Sequence, residues 1–125
     1  MSTLQAANIS DGTDTLATGY VVNGSAKALC NYDQEAISLN RSLNVSSVTD
    51  TATGVAVVNM TSSFSAADYV VVGSVKDGGG RNDGAVLSAS VEDTYTASAY
   101  QYYTSHGVVI NDAQDGFSAF FGDLA

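Results

Sequence analysis

Proline and tryptophan are absent from this chain, cysteine and histidine occur once each, and lysine and arginine together number four. Each scarcity closes a class of function. The single cysteine, Cys30, cannot form a disulfide within the chain, and with one histidine, His106, it cannot assemble a multi-cysteine or histidine-rich zinc site. A lone thiol fits synthesis in a reducing cytoplasm. Four cations against thirteen carboxylates leave a net charge of −9, so the clustered Lys and Arg that a phosphate backbone needs are missing and no nucleic-acid partner is expected. No apolar run approaches the roughly 18–20 residues that cross a bilayer, so no membrane insertion is expected. Residues 1–10 carry neither the basic segment nor the apolar core of a secretion signal.

What is present is a 125-residue chain, 45% apolar, with only 14% charged residues and a polar remainder dominated by Ser, Thr, Asn and Gly. That length suits one core, and the neutral polar surface suits a β-rich domain. Short runs at 27–32, 37–41, 43–49, 54–61, 69–75, 85–91, 99–103, 107–111 and 117–124 read as strands separated by turn residues. The expected fold is all-β, an antiparallel, jelly-roll-like β-sandwich over residues 19–125, preceded by an extended N-terminal arm at 1–18. Within it, Ala56, Val58 and Met60 alternate with Val55, Val57 and Asn59, and Gly54 is placed to take a positive φ in a hairpin. Residues 69–72 are apolar throughout, the pattern of a central strand covered on both faces. The candidate core is therefore Val58, Met60, Val70, Val71, Val72 and Phe120. Residues 65–68 could close one helical turn capped by Ser63 or Ser65.

Chemistry-bearing constellations are sparse. No GxSxG elbow accompanies the many serines, and residues 78–80 lack the Lys-Ser/Thr of a phosphate-binding loop. Acidic groups at Asp11 and Asp14, Asp77 and Asp83, Glu92 and Asp93, and Asp112 and Asp115 follow no calcium-loop spacing, and solvated loop charge is the simpler reading. No catalytic residue, cofactor or metal site is expected. The local enrichment that suggests recognition is Tyr95, Tyr100, Tyr102 and Tyr103, since tyrosine offers a flat apolar face with a polar tip. The alternation of Tyr100 and Tyr102 with Gln101 and Tyr103 also fits rings packed inside a sheet. The glycine-rich stretch 77–84, reading DGGGRNDG, is the expected flexible tip, and places Gly79, Arg81 and Asn82 beside the tyrosines as candidate contacts for a host or partner.

Three segments carry a family resemblance: NGSAKALCNYD at 23–33, SLNVSSVTD at 42–50 and GVAVVNMTSSFSAADY at 54–69. In that order and spacing they resemble a module of bacteriophage tail-fibre and virion surface proteins, in which an NGSAKAW-type strand precedes an N-V-S-S-hydrophobic-T-D strand, a glycine turn, a V-N-hydrophobic-T strand and a short A-D/N-Y segment. The ending FFGDLA is similar to the apolar strand on which such modules close. This copy departs at Leu29 and Cys30, where the family has a large aromatic and a small aliphatic residue. It departs again at Asp33, Gln34, Glu35 and Ala36, which replace a glycine-rich turn.

The resemblance implies a non-enzymatic virion structural protein, made in the host cytoplasm and carried on the virion surface. Its partners would be further copies of itself in a homotrimer and other capsid or tail proteins. It would act as a surface spike, fibre tip or capsid decoration whose distal loops touch the host. The alternative is a carbohydrate-binding module that recognises a host surface glycan as a receptor.

Overall fold

The computed structural model describes residues 2–76, 85–89, 95–106 and 109–125, with backbone alone for 85–89, 106 and 109. The arm holds a small hairpin, β1 (Asn8–Ser10) with β2 (Thr15–Ala17), and a helix, α1 (Thr18–Gly24). The body follows as β3 (Ala28–Asp33), β4 (Ser38–Leu43), β5 (Val45–Ala52), β6 (Val55–Met60), β7 (Val70–Lys76) and β8 (Ala85–Ala89), then β9 (Tyr95–Thr96), β10 (Ala99–His106), β11 (Val109–Ile110) and β12 (Asp115–Phe121). All nine expected strands are present, and the fold is an all-β sandwich.

One sheet runs β4-β3-β12-β7 and the other β11-β10-β6-β5, with β8 and β9 paired along the opposite side of β10. The pairings in both are antiparallel. The chain crosses between sheets after β4, β6, β7 and β11, and β12 closes the first sheet by inserting between β3 and β7.

Alternation decides which side chains meet. Ala28, Cys30 and Tyr32 of β3 and Phe120 of β12 face Ala56, Val58 and Met60 of β6 and Tyr100 and Tyr102 of β10, all buried in one cluster. Tyr32 and Tyr102 meet across the sheets at 5.1 Å between ring centres, and Tyr100 meets Phe120 edge-on at 5.7 Å. Such aromatic pairs add about 0.5–1.5 kcal/mol each to the burial of their area.

The β5–β6 hairpin needs its glycine twice over. Gly54 has φ +68, and a β-carbon there would press on Ile110 and lie 2.7 Å from Thr104 O. Its N–H donates to Asp112 Oδ1 at 2.6 Å and its carbonyl accepts from Thr104 N at 2.8 Å, which ties the hairpin to β10 and the segment after β11.

Two expectations are corrected. Val70 and Val72 are not core: they are 61% and 60% exposed, because β7, among the described residues, is an edge strand bonded to β12 alone and its even-numbered side chains point away from the other sheet. Val71 alone of the three packs on the core. Residues 65–67 form bends rather than a helical turn over 65–68, held by Phe64 N donating to Ala97 O and Ser65 N donating to Asp123 O. The remaining core residues, Val58, Met60 and Phe120, are buried as expected.

The arm is more structured than an extended segment. Asp11 Oδ1 accepts from Thr13 N at 2.9 Å and Asp14 N at 2.8 Å, closing the turn of the β1–β2 hairpin, and these donors hold the Asp11 carboxyl below its ordinary pKa. Thr18 N donates to Ala7 O at 2.9 Å and seats the helix on the hairpin. Helix α1 runs across the expected boundary at 18–19 and buries none of its residues.

Candidate functional site

The tyrosine segment is largely interior. Tyr102 is fully buried and Tyr100 nearly so, both on the inward face of β10, so neither presents a stacking surface. Burial raises the pKa of both phenols, with that of Tyr102 far above its ordinary value. Tyr95, on β9, is 43% exposed, yet its ring packs on Tyr69 at 4.8 Å between centres and its hydroxyl donates to Tyr69 O. Tyr69 in turn stacks on Phe64 at 4.3 Å and points its hydroxyl at Thr96 O and Ala99 O, at 3.0 and 3.1 Å. The local enrichment in tyrosine thus builds the aromatic end of the core. Only Tyr103, half-buried on the outer face of β10, keeps the orientation a recognition patch would need. Gly79, Arg81 and Asn82 lie outside the described residues.

The carboxylates are engaged one at a time. Asp11 caps the arm's turn, Asp112 takes Gly54 N–H, and Asp115 pairs with Lys76 Nζ at 3.3 Å while accepting from Asn40 Nδ2 at 3.2 Å. Among the described residues, no three His, Cys, Asp or Glu side chains gather where a metal could sit. Asp77, Asp83, Glu92 and Asp93 lie outside the described residues, and of His106 only the backbone is described. Cys30 is buried on β3, and burial pushes its thiol up to about 12, which keeps it protonated and unreactive at neutral pH.

Two polar features were not foreseen. Gln34, in the turn between β3 and β4, is only 2% exposed. Its Oε1 accepts from Ala113 N at 3.1 Å and lies 2.9 Å from Thr104 Oγ1, whose single proton also faces Asn111 O at 2.6 Å. The buried Ala113 N–H requires an acceptor, which fixes the amide's orientation. Asn44, the asparagine of the NVSS segment, takes φ +53 between β4 and β5. Its Oδ1 accepts from Ser62 N at 2.7 Å and its Nδ2 donates to Ser62 O at 3.0 Å, joining the two crossings between sheets. Asparagine suits this place because it tolerates the left-handed region and mimics a backbone partner.

What the fold leaves open is the outer face of the β4-β3-β12-β7 sheet. Register places Val72, Ala119, Leu29 and Leu43 in one cross-strand row and Ser74, Phe117, Asn31 and Arg41 in the next. All of these but Leu43 line an open depression of about 520 Å³, walled mainly by apolar atoms. Sequence alternation alone could have located this face, since Leu43, Val70, Val72 and Phe117 are apolar at positions that the pairing turns outward. The chain matches no protein-family model, no curated protein and no solved structure.

Proposed function

We propose that this chain is a non-enzymatic structural protein of a bacteriophage virion, a homotrimeric surface spike, fibre-type or capsid-decoration part carried on head or tail. The observation that carries the reading is the placement of the three resembling segments. NGSAKALCNYD supplies the last turn of α1 and β3, SLNVSSVTD supplies the end of β4 and most of β5, and GVAVVNMTSSFSAADY supplies β6 and the aromatic crossing to β7. The motif's positions from β3 to the β6–β7 crossing therefore serve the scaffold of one sandwich, with Asn44 joining its crossings and Cys30, Tyr32, Val58 and Tyr69 in its core. A motif spent mainly on architecture suits a building block better than a catalyst.

The experiment is immunogold imaging of purified phage particles with an antibody against the purified protein. Label at fixed positions on head or tail is the expected result and also locates the part. Unlabelled particles, with the protein left in the unassembled fraction of the lysate, would overturn the reading. The glycan-binding alternative loses its main support with the burial of Tyr100 and Tyr102.

A further inference from the structure

Two apolar surfaces are left uncovered among the described residues. One is the outer sheet face, where Val70, Val72 and Leu43 are each more than half exposed and Phe117 is 37% exposed. The other is the arm, which exposes Leu4, Ile9, Leu16, Tyr20, Val21 and Val22; its helix buries none of its residues and is held to the body through Lys27 Nζ donating to Val22 O. A seven-residue helix is too short to hold itself in water, and most helical stability comes from packing an apolar face on something else. A sheet face with this much exposed aliphatic area is likewise the mark of an interaction site.

We infer that the two surfaces form one interface between copies: the arm of one chain, residues 2–24, lies on the outer face of the β4-β3-β12-β7 sheet of a second. Size supports this occupant. The arm supplies about the 20–30 residues that one side of a standard interface contributes. Charge supports it as well. In a chain of net charge −9, two of the four cations border this face, Arg41 on β4 and Lys76 on β7. The arm carries Asp11 and Asp14 at its hairpin tip, and the Lys76 side chain, although paired with Asp115, remains 59% exposed to a further carboxylate. Opposite charges around an apolar contact set its register and orientation.

Because arm and face are different patches, the contact is either exchanged reciprocally in a pair or runs head to tail, and in a homotrimer it closes as a ring. The inference deepens the homo-oligomeric part of the proposed function and is independent of where on a particle the protein sits.

The test uses two co-expressed, differently tagged full-length chains in a Cys30→Ser background, one carrying Leu16→Cys and the other Val72→Cys. After oxidation, a disulfide-linked species bearing both tags should be the main product, and only a bond between copies can produce it. Pairing Leu16→Cys with Thr49→Cys, an exposed position on the other sheet, should give no more than traces. Sedimentation should find the unmodified chain oligomeric, and the chain lacking residues 2–24 monomeric with its β circular dichroism intact. A monomeric full chain, an oligomer that survives loss of residues 2–24, or a Val72 cross-link no stronger than the Thr49 control would each overturn the interface. These measurements need only purified protein, so their failure is distinct from a failure of particle labelling.

Discussion

The ring of Tyr32 lies across the backbone of Gly116, its register partner on β12, and fills the space where any other residue would carry its β-carbon. Tyr32 is fully buried, and on its other side it meets Tyr102 of the opposite sheet, so it cannot swing away. Gly116→Ala should therefore cost about 1–3 kcal/mol, as forced overpacking does. Chemical denaturation would measure this, with Gly19→Ala, in open space on the arm, as the neutral comparison.

Asn44→Ala should be costly for a different reason. It removes both side-chain bonds to Ser62 and puts a residue with no polar support at φ +53. Roughly 2–3 kcal/mol of lost stability is expected from one strained left-handed residue and the lost hydrogen bonds together. Asn44→Gly, which relieves the strain but not the bonds, should recover part of it. The difference between the two denaturation midpoints separates the terms.

Neighbouring residues on one strand should respond in opposite ways to the same change. Val71→Asp places an unpaired charge against the core and should cost roughly 3 kcal/mol or more, enough to threaten folding. Val72→Asp, on the open face, should leave the monomer fold intact and instead abolish association. Circular dichroism and sedimentation read the two effects separately. In the same spirit, Tyr102→Ala should lose about 3–5 kcal/mol as a buried aromatic, while Tyr103→Ala should be tolerated.

Alkaline pH should unfold the protein before its surface charge alone would. Burial raises the Cys30 thiol from 9.0 to about 12 and raises the phenols of Tyr32, Tyr69 and Tyr102 above 10.0. The native state thus holds these protons in a range where the unfolded chain has released them. Their stabilisation is complete below about pH 9 and is lost as pH rises from there, at up to about 1.4 kcal/mol per pH unit for each group in its window. Thermal melts from pH 8 to 12 should show a falling Tm, with the first part of the fall reduced in Cys30→Ala. A flat profile would place these groups in solvent.

Much of the sandwich could be read from the sequence because a strand's period of two is hard to mimic: Ala56, Val58 and Met60 point inward as their alternation requires. The same logic misled at Val70–Val72, where an unbroken apolar run fits a strand covered twice, yet among the described residues β7 lies at a sheet edge and nothing covers its outer face. The arm's hairpin and helix were illegible since they bury nothing, leaving no apolar period to detect. Gln34 was missed because polar residues in turns are ordinarily exposed, and only the fold shows that this one replaces a backbone partner for Ala113. The tyrosines left a surface reading open beside the core one because their clustering in sequence says nothing about which face of β10 they share.

The position of β12 sets the order in which this molecule can be completed. It is the latest-made of the described strands, yet it lies between β3 and β7 and supplies the pairing edge of both. Until residues 115–121 have emerged, the first sheet is an unclosed gap bounded by two bare strand edges, one of them lined with valines. Such edges invite pairing with the wrong chain. A nascent chain stalled before β12 is thus a template for aggregation rather than a shortened version of the fold, and the closing step joins segments far apart in sequence, which makes it slow.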